Sequence, residues 1–187
     1  MMSPAMMALM MVVMMVAMML PSFAPSLWRY HRRLRAMRLP RTGQQTLLYG
    51  VGYASVWTAI SLALFVLGAE RFPMGASSAT GVALLCAGAL QCSRWKANQL
   101  VRCRQTMTSA SPTVVMSAWR DGCRLGVDCA LSCAAPMAAL VTTGVMDMRM
   151  MAVIGAMITA ERLAPSGARI ARLTGALALV AGALMCV

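Results

Sequence analysis

The sequence LLYGVGYASVWTAISLALFVLGA occupies residues 47–69 and contains no charged side chain. A helix needs about 20 mostly apolar residues to cross the hydrocarbon of a bilayer, so this run is long enough to span a membrane. Five more apolar runs occupy residues 4–20, 74–91, 125–145, 150–163 and 168–187. The sequence therefore predicts an all-α, polytopic bundle of six transmembrane helices that forms a single domain over residues 1–187. Because 150–163 is short, five spans are the alternative.

The composition excludes most other classes of protein. Of the 187 residues, 60% are hydrophobic and 12% are charged, whereas soluble domains have roughly 45–50% apolar and about 25% charged residues. This composition excludes a disordered chain and argues against an ordinary soluble globule. The single histidine, His31, leaves little acid–base chemistry near neutral pH. No phosphate-binding glycine loop, HExxH motif or catalytic triad is recognisable, so we expect no enzymatic activity.

Basic residues decide the predicted orientation. All but two of the 17 Lys and Arg residues fall in the predicted loops 28–46 and 92–124 or around the last connection, between 162 and 172. Such a bias makes these segments cytoplasmic and places both termini outside. We therefore expect a multi-pass protein of a bacterial inner membrane, with residues 4–20 retained as a helix rather than cleaved as a signal peptide. Arginine-rich loops between spans contact anionic headgroups, so the net charge of +12 does not predict nucleic-acid binding.

Methionines occur as adjacent pairs every four residues along the first predicted helix. The pairs are Met6-Met7, Met10-Met11, Met14-Met15 and Met18-Met19. Residues four apart stack on one helix face, so the thioethers form a broad stripe. Two interpretations stay open: methionine is a flexible side chain that fills gaps between helices, and its sulfur is a soft donor that suits Cu(I).

Two cysteines on the fourth predicted helix offer stronger metal ligands. Cys129 and Cys133 are four residues apart, and Met137 lies one turn beyond. This helix begins at the predicted cytoplasmic side, where the first helix ends, so Met14, Met15, Met18 and Met19 lie at a similar depth. A sulfur site between the two helices is therefore possible, although cysteine also packs as a small apolar residue between membrane helices. The seven cysteines show no CxxC spacing, and we expect no structural disulfide.

Acidic residues near predicted helix ends have basic neighbours in the sequence. Glu161 precedes Arg162, and Asp128 follows Arg124 by one turn. Asp147 lies near Arg149 in the same way. An acid inside a membrane is a functional candidate by default, but these pairings favour ion pairs or solvation at the membrane surface.

Short motifs in a fixed order carry a family resemblance. They are Ala17-Met18-Met19-Leu20-Pro21-Ser22, Gly52-Tyr53, Trp57, Gln91, Lys96, Cys103-Arg104, Gly126, Cys129, Ser132-Cys133, Met137, Gly144-Val145-Met146 and Glu161-Arg162. The chain resembles, from about residue 10 onwards, a family of predicted metal-binding integral membrane proteins of bacteria, domain of unknown function 2182. The resemblance implies a membrane protein that binds metal. This chain differs where the family has further cysteines, at Gln99 and Ser132, and a histidine, at Leu125.

These observations lead to one functional hypothesis and one alternative. The hypothesis is an inner-membrane protein that binds or relays a soft metal, first of all Cu(I). Its candidate ligands are Cys129, Cys133, Met18, Met14, Met137 and Met19. The alternative is a non-catalytic accessory or assembly subunit that packs its small-residue and methionine-rich faces against other membrane-protein subunits.

Overall fold

The computed structural model describes residues 3–38, 41–67, 77–109, 115–143, 148–164 and 166–186. Within these ranges all regular secondary structure is helical, which confirms the predicted all-α class. The helices are α1 (Pro4–Ala36), α2 (Thr42–Val66), α3 (Ser77–Cys92), α4 (Arg94–Ser109), α5 (Val115–Thr143), α6 (Met148–Leu163) and α7 (Gly167–Cys186).

Helix α1 is much longer than the predicted span of residues 4–20. Pro21 and Pro25 lie inside it, and each removes a backbone N–H from the helical hydrogen-bond ladder. The helix nevertheless continues to Ala36, so residues 28–36 of the predicted loop 28–46 are helical. The predicted loop 92–124 likewise contains all of α4 and the start of α5.

Three of the described helices, not the predicted six, are long and apolar enough to cross a membrane. They are the segments Ala5–Ala36, Thr42–Val66 and Gly167–Met185. Helices α3 and α6 have 16 residues each, which at 1.5 Å per residue extend for about 24 Å against a hydrocarbon core of about 30 Å. The end of the predicted second span (47–69), the start of the third (74–91) and the end of the fourth (125–145) lie outside the described residues.

The chain divides into two compact units. The first contains Met1–Phe65 and Arg102–Ala130, and the second contains Val66–Val101 and Leu131–Val187. The core of the first unit is formed by one face of α1 together with aromatic side chains of α2 and small residues of α5. Its buried members include Phe23, Tyr30, Leu34, Tyr49, Tyr53, Trp57, Ala118 and Leu125.

In the second unit, α3 and α7 pack closely through glycines. A Cβ added at Gly88 would lie 2.8 Å from the carbonyl oxygen of Gly175, and one added at Gly182 would lie 2.8 Å from that of Gly81. Such distances leave room only for hydrogen, so the two backbones approach each other closely. The regularly spaced glycines of α7 therefore serve helix packing.

Candidate functional site

The methionine stripe of α1 consists of two columns of residues spaced four apart, and one of these columns is buried in the core of the first unit. Met11, Met15 and Met19 are 2%, 1% and 0% exposed. The other column is more open, because Met14 and Met18 are only partly buried. Of the three predicted methionine ligands on this helix, only Met19 belongs to the fully buried column. The two columns lie about 100° apart on the helix, and both have four-residue spacing, so the pattern did not distinguish them.

Cys129 is the most enclosed thiol of the first unit. It projects from α5 with 0% exposure, and the hydroxyl of Tyr53 on α2 lies 3.3 Å from its Sγ. The ring of Tyr53 stacks on Phe23 of α1, with centroids 4.1 Å apart and planes 10° apart. Since Phe23 follows Met19 by four residues, it continues the buried methionine column by one turn. These contacts place Phe23 against the face of the Tyr53 ring and the Cys129 sulfur at its hydroxyl.

Close packing of α2 against α5 holds Tyr53 in place. A Cβ at Gly52 would overlap the carbonyl oxygen of Trp119, and a Cβ at Gly122 would overlap that of Tyr49. One turn beyond, a Cβ at Gly126 would lie 2.9 Å from Cβ of Val56. The two helices can approach this closely only because these positions are glycine.

A second buried thiol, Cys103, was not among the predicted ligands. It lies on α4 with 2% exposure. Thr106, one turn further along α4, donates a hydrogen bond of 2.5 Å to Oδ2 of Asp128, the residue before Cys129. The Thr106–Asp128 bond joins α4 to α5 one turn along α4 from Cys103 and one residue before Cys129 on α5. The signal for Cys103 in the sequence is the Cys103-Arg104 motif of the family resemblance.

The remaining predicted ligands belong to the second unit. Cys133 is buried, one turn after Cys129 on α5, and Met137 is partly buried one turn further. The cysteines at 86, 92, 103, 123, 129 and 133 are all thiols. Among them, Cys123 of α5 donates a hydrogen bond of 3.4 Å to the carbonyl oxygen of Gly52 on α2. This thiol therefore takes part in the packing of α2 against α5.

A buried ion pair forms the polar centre of the second unit. Nζ of Lys96 lies 2.9 Å from Oε2 of Glu161, with the two side chains 3% and 1% exposed. The other carboxylate oxygen, Oε1, accepts hydrogen bonds from the side-chain amide of Gln91 and from the Thr174 hydroxyl at 3.0 Å. The predicted surface pairing of Glu161 with Arg162 is therefore wrong. Sequence neighbours do not face one another on a helix, whereas α4 brings Lys96 from a distant part of the chain.

Lys96 also completes the hydrogen bonding of α5. Its Nζ donates to the carbonyl oxygen of Ser132, which in an unbroken helix would accept from the N–H of residue 136. Residue 136 is Pro136 and has no N–H. The ammonium group thus replaces the missing backbone donor, and Glu161 neutralises its charge. Asp128 also has a partner other than the predicted one, since it accepts from Thr106, while Asp147 lies outside the described residues.

The donors buried in the first unit suit a soft metal ion. Among the described residues, no three His, Cys, Asp or Glu side chains come together as a possible metal site. Thioethers are not in that set, and the first unit buries three of them with two thiols. Thiolate and thioether sulfur selects Cu(I), whereas oxygen ligands select harder ions.

Comparison with known proteins agrees with this donor chemistry. One protein family, described as "PpoB2: Copper chaperone", matches residues 2–185. No curated protein and no solved structure matches the chain. The family match supports a metal-related family and is compatible with a copper-related function. The name of the family in the resemblance and the inner-membrane location stay predictions. By a match over nearly its whole length, the chain belongs to the PpoB2 copper chaperone family.

Proposed function

We propose that this chain binds Cu(I) on buried sulfur atoms of its first unit and passes the ion to a recipient protein. The observation that carries the proposal is the full burial of Cys129 in a unit that also buries Cys103 and the Met11–Met15–Met19 column. Cys129, Cys103 and Met19 are the primary ligand candidates. Met14 and Met18, on the more open column, and Cys133 and Met137, in the second unit, are candidates for steps before or after the primary site.

The physical chemistry of a buried thiolate favours a cation as its partner. An isolated charge taken from water into an apolar interior is strongly destabilised. A bound Cu(I) offsets the thiolate's charge, and a coordinating thiol loses its proton. Two thiolates and a thioether supply a complete set of soft donors without histidine. Burial also excludes water and harder ligands from the ion.

The apolar helices and the arginines support a membrane location. Three helices are long enough to cross, and Arg29, Arg32, Arg33 and Arg35 lie near the C-terminal end of α1. At this position the basic side chains are suited to anionic headgroups of a cytoplasmic leaflet. We therefore place the protein in a bacterial inner membrane, with the start of the chain outside.

Copper content after anaerobic purification tests the site. We expect bound copper in the wild-type protein and a loss of most of it in Cys129→Ser, because serine oxygen is a poor ligand for Cu(I). Met19→Leu is expected to bind less copper than Met14→Leu, because only Met19 lies in the buried column. The matched control is Cys86→Ser, which changes an exposed cysteine of the second unit. Equal copper in the wild type, Cys129→Ser and Cys103→Ser would contradict the proposal.

Purification from native membranes separates this function from the accessory-subunit alternative. A copper carrier retains copper when purified alone and contacts its recipient only transiently. An assembly subunit instead stays with its partners, and its role does not depend on Cys129. Stable partners together with full function of Cys129→Ser would favour the alternative.

A further inference from the structure

The hydroxyl of Tyr53 lies within hydrogen-bonding distance of the Cys129 sulfur, at 3.3 Å. Both side chains are buried, with Tyr53 3% exposed. A hydrogen bond between a phenol and a thiol is weak when both are neutral. Its strength changes if the sulfur carries charge, since hydrogen bonds to ionised groups are about twice as strong.

We propose that Tyr53 stabilises the copper-bound form of the site by donating a hydrogen bond to the Cys129 thiolate. This inference rests on the proposed function, because it concerns the sulfur that binds Cu(I). In the copper-free protein either atom can be the donor. A Cu(I)-bound thiolate has no proton, so only the phenol can donate. The hydrogen bond is therefore stronger with copper than without it, and it raises the affinity for the ion.

The surroundings of Tyr53 keep its hydroxyl aimed at the sulfur. One face of its ring is stacked on Phe23, and the preceding residue, Gly52, packs directly against the Trp119 carbonyl of α5. Rotation of the phenol away from Cys129 would break the stack or separate α2 from α5. A partner held in this way loses little freedom when copper binds. Groups that orient metal ligands from outside typically change metal affinity by about 10–100-fold.

The aromatic stack supplies a matched control for the loss of one hydroxyl. Tyr30 stacks on Tyr49, with centroids 4.3 Å apart, and belongs to the same buried core. Its hydroxyl has no hydrogen-bond partner among the described residues. Tyr30→Phe and Tyr53→Phe therefore remove the same atom from the same aromatic cluster. They differ in whether that atom contacts the candidate ligand.

The test is competition for Cu(I) with a coloured Cu(I) chelator, on the full chain in detergent without oxygen. We expect Tyr53→Phe to bind Cu(I) about tenfold more weakly than the wild type, and Tyr30→Phe to stay within about twofold of it. The ultraviolet charge-transfer band from sulfur to Cu(I) should shift in Tyr53→Phe and not in Tyr30→Phe. Thermal unfolding checks that both variants are folded, and both retain the stacked ring.

A double substitution shows whether the effect passes through Cys129. Adding Tyr53→Phe to Cys129→Ser should cause no further loss of affinity, because the hydrogen-bonded thiolate is already absent. Wild-type affinity and an unshifted band in Tyr53→Phe would overturn the role of Tyr53, and so would an equal loss in the Cys129→Ser background. In both cases copper binding that depends on Cys129 would still support the proposed function. If Cys129→Ser binds copper like the wild type, the proposed function itself fails.

Discussion

Lys96 holds two buried partners of the second unit together. Its ammonium group forms an ion pair with the Glu161 carboxylate and donates a hydrogen bond to the Ser132 carbonyl oxygen. Both contacts are buried away from water. Breaking a buried ion pair by removing one partner leaves an uncompensated charge. The role of Lys96 is therefore structural first, and it positions the part of α5 that follows Cys129 and begins at Leu131.

We expect Lys96→Met to destabilise the protein by about 3–5 kcal/mol, the range for a broken buried pair. The Glu161 carboxylate would stay buried with only the neutral donors Gln91 and Thr174, and the Ser132 carbonyl would lose its donor. Thermal or denaturant unfolding in detergent, followed by circular dichroism, measures the change.

Two second-site substitutions distinguish the ion pair of Lys96 with Glu161 from its hydrogen bond to the Ser132 carbonyl oxygen. Glu161→Gln removes the unbalanced charge and should recover part of the stability lost in Lys96→Met. Adding Pro136→Ala restores a backbone N–H to α5 and should recover more, because the Ser132 carbonyl regains a helical donor. If Pro136→Ala gives no recovery in the Lys96→Met/Glu161→Gln background, Lys96 does not substitute for the missing N–H.

At the scale of elements, the approach of α2 to α5 decides whether the site forms. Gly52 and Gly122 each face a backbone carbonyl of the other helix, with no room for a methyl group. The same contact brings Tyr53 to Cys129. Helix packing and site geometry are therefore the same interaction, and a change in one must appear in the other.

Gly52→Ala should destabilise the protein and lower its Cu(I) affinity together. Over-packing of this kind typically costs about 1–3 kcal/mol, and the added methyl separates Tyr53 from Cys129. Gly50→Ala is the matched control, since it lies on the same helix with nothing within 4 Å of an added Cβ. There, the better helix propensity of alanine should leave stability unchanged or raise it by up to about 1 kcal/mol. Equal unfolding temperatures and equal copper affinities for the two variants would contradict the packing argument.

For the whole molecule, the positions of the arginines predict on which side of the membrane the C-terminus lies. Arg169 and Arg172 lie in the first turns of α7, so we expect from the positive-inside bias that this helix starts in the cytoplasm. A reporter fused after residue 186 should therefore lie outside, with active alkaline phosphatase and dark green fluorescent protein. A reporter placed after Arg38, between α1 and α2, is the cytoplasmic control and should fluoresce. If α1, α2 and α7 were the only crossings, the C-terminal reporter would fluoresce instead.

The candidate site shows which ligand candidates can be predicted from the sequence alone and which cannot. Cys129 and Met19 could be selected because soft sulfur donors recur at helical spacing. The choice between the Met14–Met18 and Met15–Met19 columns could not be made, since both satisfy that spacing. Cys103 was missed for a related reason, because its burial in the same unit as Cys129 comes from tertiary packing, in which Thr106 of α4 bonds to Asp128 of α5. Periodicity describes one helix and contains no information about which helix lies opposite.

The sequence by itself determined the all-α class and the copper-compatible donor types. These follow from local properties, namely apolar length and side-chain chemistry. Tertiary structure alone decided that α1 continues through Pro21 and Pro25, that Glu161 pairs with Lys96 rather than Arg162, and that Tyr53 meets Cys129. Each of these depends on partners distant in the chain, whose contacts outweigh the local signals of helix breaking and neighbouring charge.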